Sequence, residues 1–181
     1  MMVFFDPNII IETPRLILRQ VTIQDKEALF QNLVHDPEVL KYYLWNYCEK
    51  IDEFDLQTKL DQYKKAEFYF LAIVLKDTNE VIGIIHQCNK PNVYFPKVEI
   101  GYAIGRNYWN KGYTTEALGA FIKHLMTKDV HKIVASHIKE NVASGRVMQK
   151  CGMLFDYEAT EEIYYHQHYY NVCYYYLLNN K

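Results

Sequence analysis

The residues with the most chemical content run from Glu99 to Leu118, Glu-Ile-Gly-Tyr-Ala-Ile-Gly-Arg-Asn-Tyr-Trp-Asn-Lys-Gly-Tyr-Thr-Thr-Glu-Ala-Leu. They read as a strand, a loop holding Lys111 and Gly112, and a helix that begins at about Thr114. The first amides of a helix have no intrahelical acceptor, and the dipole there favours negative charge. Amides from Asn110 to Thr115 could therefore hold an anion, most simply a phosphate, with Gly112 allowing close approach and Lys111 nearby. A glycine before a helix also serves an ordinary turn, and the loop is neither G-x-x-x-x-G-K-[ST] nor G-x-G-x-x-G, so spacing alone leaves both readings open.

Other reactive side chains are scattered. Cys48, Cys88, Cys151 and Cys173 form no C-x-x-C pair, and His166-x-His168 has no cysteine or carboxylate at a metal-ligand spacing. Reduced thiols used as small apolar residues are expected, and no metal site. Cys151 falls at the C-terminal end of a helical segment, where the dipole disfavours a thiolate, so packing is its expected role.

The elements that must position the loop are legible as periodicities. Thr13 to Arg19 alternates as a first strand, Asp25 to Val34 and Phe54 to Tyr63 carry helical spacings, and Asp36-Pro37 opens a short helix. Phe68 to Leu75 and Val81 to Ile85 flank a polar turn as a hairpin, and Asn89 to Pro96 reads as a loop. Val98 to Ile104 is the strand before the loop. Ala117, Leu118, Phe121, Ile122, Leu125 and Met126 make one helical stripe, and Lys132 to Ser136 resumes as a strand. Strand, helix and strand leave a crossover long enough for parallel pairing. A helix over Val142 to Lys150 ends at Gly152, and Met153 to Glu158 and Tyr169 to Leu178 close the chain as strands.

Composition bounds what these elements can be. The chain has 181 residues, 50% hydrophobic and 23% charged, which implies a single domain over 1–181 and leaves no room for two enzyme domains. Twenty Lys and Arg against 22 Asp and Glu give a charge of −2, so no footprint for nucleic acid or an anionic membrane is present. No apolar run approaches the roughly 20 residues that span a bilayer, and Met1 to Pro7 lacks a basic segment before its apolar residues. A soluble, cytoplasmic protein is expected. Seven of its 17 tyrosines fall between Tyr164 and Tyr176.

The Glu99–Leu118 stretch resembles motif A of the GNAT N-acetyltransferases, and its Y-W-N-K-G-Y-T-T-E-A-L portion resembles the RimJ/RimL-like branch that acetylates ribosomal-protein N-termini. Two further segments agree in order and spacing: E-T-P-R-L-I-L-R at Glu12 to Arg19, and N-V-A-S-G-R-V-M-Q-K-C-G-M at Asn141 to Met153, similar to motif B. The resemblance covers about Thr13 to Leu178. It implies an α/β (α+β) GNAT fold, with a mixed, splayed sheet of about seven strands flanked by about four helices and acetyl-CoA held in a V-shaped opening between two parallel strands. Carried onto matching positions, the backbone of Tyr102, Ala103 and Ile104 pairs with the pantetheine arm. Backbone amides of Asn110, Lys111, Gly112, Tyr113, Thr114 and Thr115 bind the pyrophosphate, and Trp109, at the first position of the motif, is counted with the cofactor-binding residues. Asn141 and Ser144 face the thiol end, and Arg146 or Lys150 reaches the outer phosphate. By the same resemblance Tyr42, Tyr43, Trp45, Tyr164, Tyr165 and His166 line the acceptor site. The chain departs from the family pattern at Trp109 and Thr114, and at Met148, where many members carry an acidic tyrosine.

Acetyl transfer from a thioester to an amine needs a neutral amine, donors for a developing oxyanion and a proton for the leaving thiolate. Glu99 is the candidate base, although by position alone a strand glutamate is more often just a surface or ion-paired residue. Ser144 is the candidate acid, although a serine near a helix start is more often a cap. A strand N–H near Ala103 or Ile104 is the simplest oxyanion donor. The acceptor is a primary amine on a small molecule or a protein N-terminus, and the protein acts as a monomer or homodimer. The alternative is a catalytically weak acyl-CoA-binding module used for sensing or protein interaction.

Overall fold

The computed structural model describes residues 5–89, 94, 97–128 and 130–179. Most of the loop expected between Asn89 and Pro96 lies outside them. The described elements are β1 (Ile10–Glu12), β2 (Leu16–Gln20), α1 (Lys26–Leu29), α2 (Pro37–Leu40), α3 (Leu56–Ala66), β3 (Phe70–Leu75), β4 (Val81–Gln87), β5 (Lys97–Ile104), α4 (Tyr113–Met126), β6 (Lys132–Ile138), α5 (Val142–Lys150), β7 (Leu154–Tyr165) and β8 (His168–Leu178). The strands form one sheet in the order β1-β2-β3-β4-β5-β6-β8-β7. Among the described strands only β5 and β6 run parallel, joined by α4 as the crossover.

The fold is the expected mixed, splayed sheet, with two corrections of count. Eight strands are described rather than about seven, because Ile10–Glu12 in the lead pairs with β2. Five α-helical segments stand in place of about four, two of them only four residues long. Boundaries moved for local reasons. Thr13 does not begin β2, because its backbone and hydroxyl close a turn on Leu16. The helix expected over Asp25 to Val34 is a 3-10 turn, α1 and a π-helical turn in succession. Arg19 grips Asp25 at the first of these through two 2.8 Å hydrogen bonds. Burial alone would raise the Asp25 carboxyl, but Arg19 and Thr22 outweigh it and hold it below its ordinary value.

Alternation along the strands feeds two cores. Leu16, Leu18, Leu71, Ile73, Val98 and Ile100 pack with α4 and α5, while Phe70, Ala72, Val74, Ile84 and Ala103 pack with the α1–α3 layer. On β5 this places Val98, Ile100, Tyr102 and Ile104 toward α4 and α5, and Glu99, Gly101 and Ala103 toward the opposite face. No helix among the described residues is long and apolar enough to cross a membrane.

Candidate active site

The parallel pair β5–β6 holds for only three residues, Lys97↔Lys132, Val98↔Ile133 and Glu99↔Val134. Beyond Glu99 the strands separate, because β5 follows β4 through Gly101↔His86 and Gly83↔Ile104 while β6 follows β8 out to Ile138↔Val172. Their facing edges around Tyr102–Ile104 and Ser136–Ile138 therefore border a cleft of about 960 Å³. An extended ligand with amide groups can pair with such an open edge.

One end of the cleft is the loop before α4. Asn110 (φ 59°) and Gly112 (φ 79°) both take left-handed backbone, the conformation from which anion-binding concavities of successive amides are built. Among the described residues no protein acceptor reaches the amides of residues 110–115; the first helical bond runs from Glu116 N–H to the Gly112 carbonyl. Trp109 donates its indole N–H to the Ile104 carbonyl at 2.9 Å, so this residue clamps the loop onto β5 and occupies one acceptor of the strand edge. Asn110, Gly112, Thr114 and Thr115 line the cleft, whereas the Lys111 and Tyr113 side chains point elsewhere, toward the Tyr108 ring and beneath Arg15.

Arg15 is a residue whose role sequence reasoning missed, although its motif was noticed. It donates to the Lys111 carbonyl at 2.9 Å and from Nε to Glu116 at 2.7 Å, and its guanidinium lies 4.4 Å over the Tyr113 ring. Thr13 adds a 2.7 Å hydrogen bond to Glu116. Burial works to raise the Glu116 carboxyl, but the bonds from Thr13 and Arg15 prevail and keep it lowered. The T-P-R segment, in the turn between β1 and β2, thus anchors the loop before α4 from three strands away in the sheet, a link that no local spacing could reveal.

The middle of the cleft is met by the start of α5. Asn141 caps the helix by accepting from Ser144 N–H, and Ser144 Oγ lies 2.8 Å from the Tyr102 hydroxyl, which also donates to the Ser144 carbonyl at 3.1 Å. Burial pushes the Tyr102 phenol well above its ordinary value, so it stays a proton donor. Arg146 and Lys150, one helical turn apart, stand exposed along the same wall. Met148 is 1% exposed and belongs to the core. Cys151 donates to the Thr115 carbonyl, and burial pushes its thiol up to about 11, in keeping with packing.

Glu99 opens on the other face, with His86, Cys88, Tyr43, Trp45 and Tyr174 around the same cleft. Burial and the Glu99 charge push the Cys88 thiol up to about 12, which makes it a poor nucleophile although it opens onto the cleft. Tyr174 is pushed up to about 12 by burial and by the charges of Glu162 and Glu99. Of the aromatic residues expected here, Tyr42, Tyr43 and Trp45 line the cleft; Tyr164, Tyr165 and His166 do not. Tyr164 is exposed and packs on Tyr169. The Tyr165 hydroxyl instead straps the β7–β8 hairpin to the loop after α2, 3.1 Å from the Trp45 carbonyl.

The open strand edge, the acceptor-free amides of the loop and the basic residues of α5 suit a long ligand with amide and phosphate groups, which is the chemistry of coenzyme A. Comparison with known proteins agrees. A family model described as Acetyltransferase (GNAT) domain matches residues 15–154. The uncharacterized N-acetyltransferase YoaA of Bacillus subtilis (strain 168) is 33% identical over 148 residues, covering 79% of this chain and 81% of that protein. The ribosomal protein uS5-alanine N-acetyltransferase of Escherichia coli (strain K12) is 29% identical over 91 residues, 50% of this chain and 47% of that protein. A solved structure of spermidine N-acetyltransferase from Vibrio cholerae, in complex with CoA and spermine, superposes with a TM-score of 0.79 over 93% of this chain and 98% of that one; at 19% identity the likeness is one of fold.

Proposed function

Because the chain belongs to the GNAT acetyltransferase family, we propose that it transfers an acetyl group from acetyl-CoA to a primary amine by direct attack within a ternary complex, as a single domain spanning 1–181. The observation that carries this reading is the parting of β5 and β6 just beyond Glu99, which joins the acceptor-free amides of residues 110–115 and the Glu99 face in one cleft. When bound, acetyl-CoA supplies an activated acetyl thioester.

The chain's own residues then have separable tasks. Amides of residues 110–115 hold the pyrophosphate, Arg146 or Lys150 the outer phosphate, and the edge at Tyr102–Ile104 orients the arm. Glu99 takes the proton of the amine, directly or through water. Ser144 supplies a proton on the opposite side, its Oγ held 2.8 Å from the Tyr102 hydroxyl. No covalent nucleophile is needed. Relatives act on a protein N-terminal alanine and, by the name of the fold neighbour, on spermidine; both offer a primary amine.

Calorimetry with acetyl-CoA followed by thiol-release assays over an amine panel tests the reading. Tight binding with release above background hydrolysis is expected. Binding without release would favour an acyl-CoA-binding module, which Met148 in place of the tyrosine, buried in the core, and Thr114 in the loop support. Glu99→Gln should bind acetyl-CoA normally and lose on the order of 10²-fold in kcat at neutral pH. Full turnover in that variant would remove Glu99 as the base.

A further inference from the structure

Across the β4–β5 ladder from Gly101, His86 points to the same face as Glu99, and a Cβ at position 101 would lie 2.8 Å from His86 Nε2. Glycine there makes the room the imidazole occupies. Both ring nitrogens are engaged. Nε2 is 2.8 Å from the Tyr43 hydroxyl, and Nδ1 is 2.9 Å from the Tyr63 hydroxyl and 3.4 Å from the Gln87 carbonyl. Burial pushes the imidazole down to about 4, so it is neutral at physiological pH and carries a single ring proton.

Nδ1 also lies 3.8 Å from Cys88 Sγ; because a carbonyl can only accept, we assign the ring proton to Nδ1, facing the Gln87 carbonyl and the Tyr63 oxygen. Nε2 is then a bare lone pair that takes the Tyr43 O–H. Tyr43 has one proton and it is committed to His86, which leaves only lone pairs on its oxygen for any other partner. Tyr43 and His86 both border the cleft beside Glu99; Tyr63 does not. The same end carries Glu38 and Glu99 against Lys41, a balance that favours a cation.

We propose that the Tyr43 hydroxyl, oriented by His86, accepts a hydrogen bond from the substrate amine and selects acceptors bearing a free N–H over fully N-alkylated cations. Tyr43 is the binding residue, and His86 the positioning residue behind it. The inference rests on the acetyltransferase reading for the class of ligand that enters this end.

Calorimetry of the CoA-saturated protein with n-butylamine and with n-butyltrimethylammonium tests it. The wild type should prefer the amine by at least about tenfold, the scale of one hydrogen bond to a charged group. Tyr43→Phe, which keeps the ring, should weaken the amine about tenfold and leave the trimethylated cation within about twofold, so that the preference collapses. His86→Gln, whose amide oxygen can still take the Tyr43 proton, should keep most of the preference, and His86→Leu should lose it. CoA affinity within about twofold of wild type verifies folding of each variant; if His86→Leu fails that check, the other two variants decide. Equal loss for both cations in Tyr43→Phe, no loss for either, or no butylamine binding by the wild type would overturn the proposal. Thiol release over the amine panel separates the two ideas: the expected binding pattern with no release for any amine would sink the acetyl-transfer reading and leave the role of Tyr43 standing.

Discussion

His86 shows how one buried side chain couples a site to stability. Its imidazole lies among Tyr43, Tyr63 and Cys88, with the Lys59 charge also acting on it, and burial pushes it down to about 4 from an ordinary value near 6.5. Between those values the unfolded chain binds a proton that the folded chain refuses, so stability rises with pH across this window. The contribution is complete above about pH 6.5 and is lost as pH falls toward 4, amounting to about 3 kcal/mol at 1.36 kcal/mol per unit. Denaturant midpoints at pH 7 and pH 5 should therefore differ by more in the wild type than in His86→Gln, and equal differences would contradict it. Glu99, Asn141 and Ser144, which all line the cleft, stood out as candidates in the sequence because they sit within contiguous motifs. The side-chain role of Tyr102 was not: its strand residue was expected to offer backbone, and its partner Ser144 lies 42 positions away.

Elements place these residues through a few tight contacts. Helix α5 rests on β6 at Gly145, where an added Cβ would come 2.6 Å from His137 Nε2. That ring cannot swing aside freely, since Nδ1 donates to the Ile138 carbonyl at 2.8 Å and the ring stacks on Tyr175. Gly145→Ala should cost about 1–3 kcal/mol and lift the start of α5, with Ser144, away from the cleft. Thermal unfolding reads the first effect and a fall in kcat the second; an alanine variant of wild-type stability would refute the close seating. The stripe of α4 and both ends of α5 followed from periodicity and the glycine stop, because those helices bury one face along a continuous run. Strand β1 escaped because three residues are too few to show alternation. The outer half of β7 escaped because its Glu-rich residues lie at a sheet edge, where water rather than core dictates side-chain type; a register shift between Ala159 and Ile163 breaks the period as well.

At the scale of the whole molecule, one sheet is held together at its centre by a parallel pair of three residues, with a core on each face. A ligand seated in the split would restore the missing cross-strand contacts. At a concentration of a hundred times its Kd, acetyl-CoA should stabilise the protein by about 2.7 kcal/mol, raise Tm by roughly 5–10 °C and slow amide exchange at residues 101–104 and 110–115. An unchanged Tm and exchange pattern would count against the cleft as the coenzyme site. By itself the sequence determined the family, the glycine-bearing loop and the helix behind it, because those features depend on residues consecutive in the chain that act through local backbone geometry. Tertiary structure alone decided the arrangement around them: Arg15 on Glu116, Tyr102 on Ser144, and Tyr43 with Tyr63 on His86. Each pair joins positions distant in sequence, and only the order of strands in the sheet, with the helices packed on its two faces, brings such side chains within a hydrogen bond of one another.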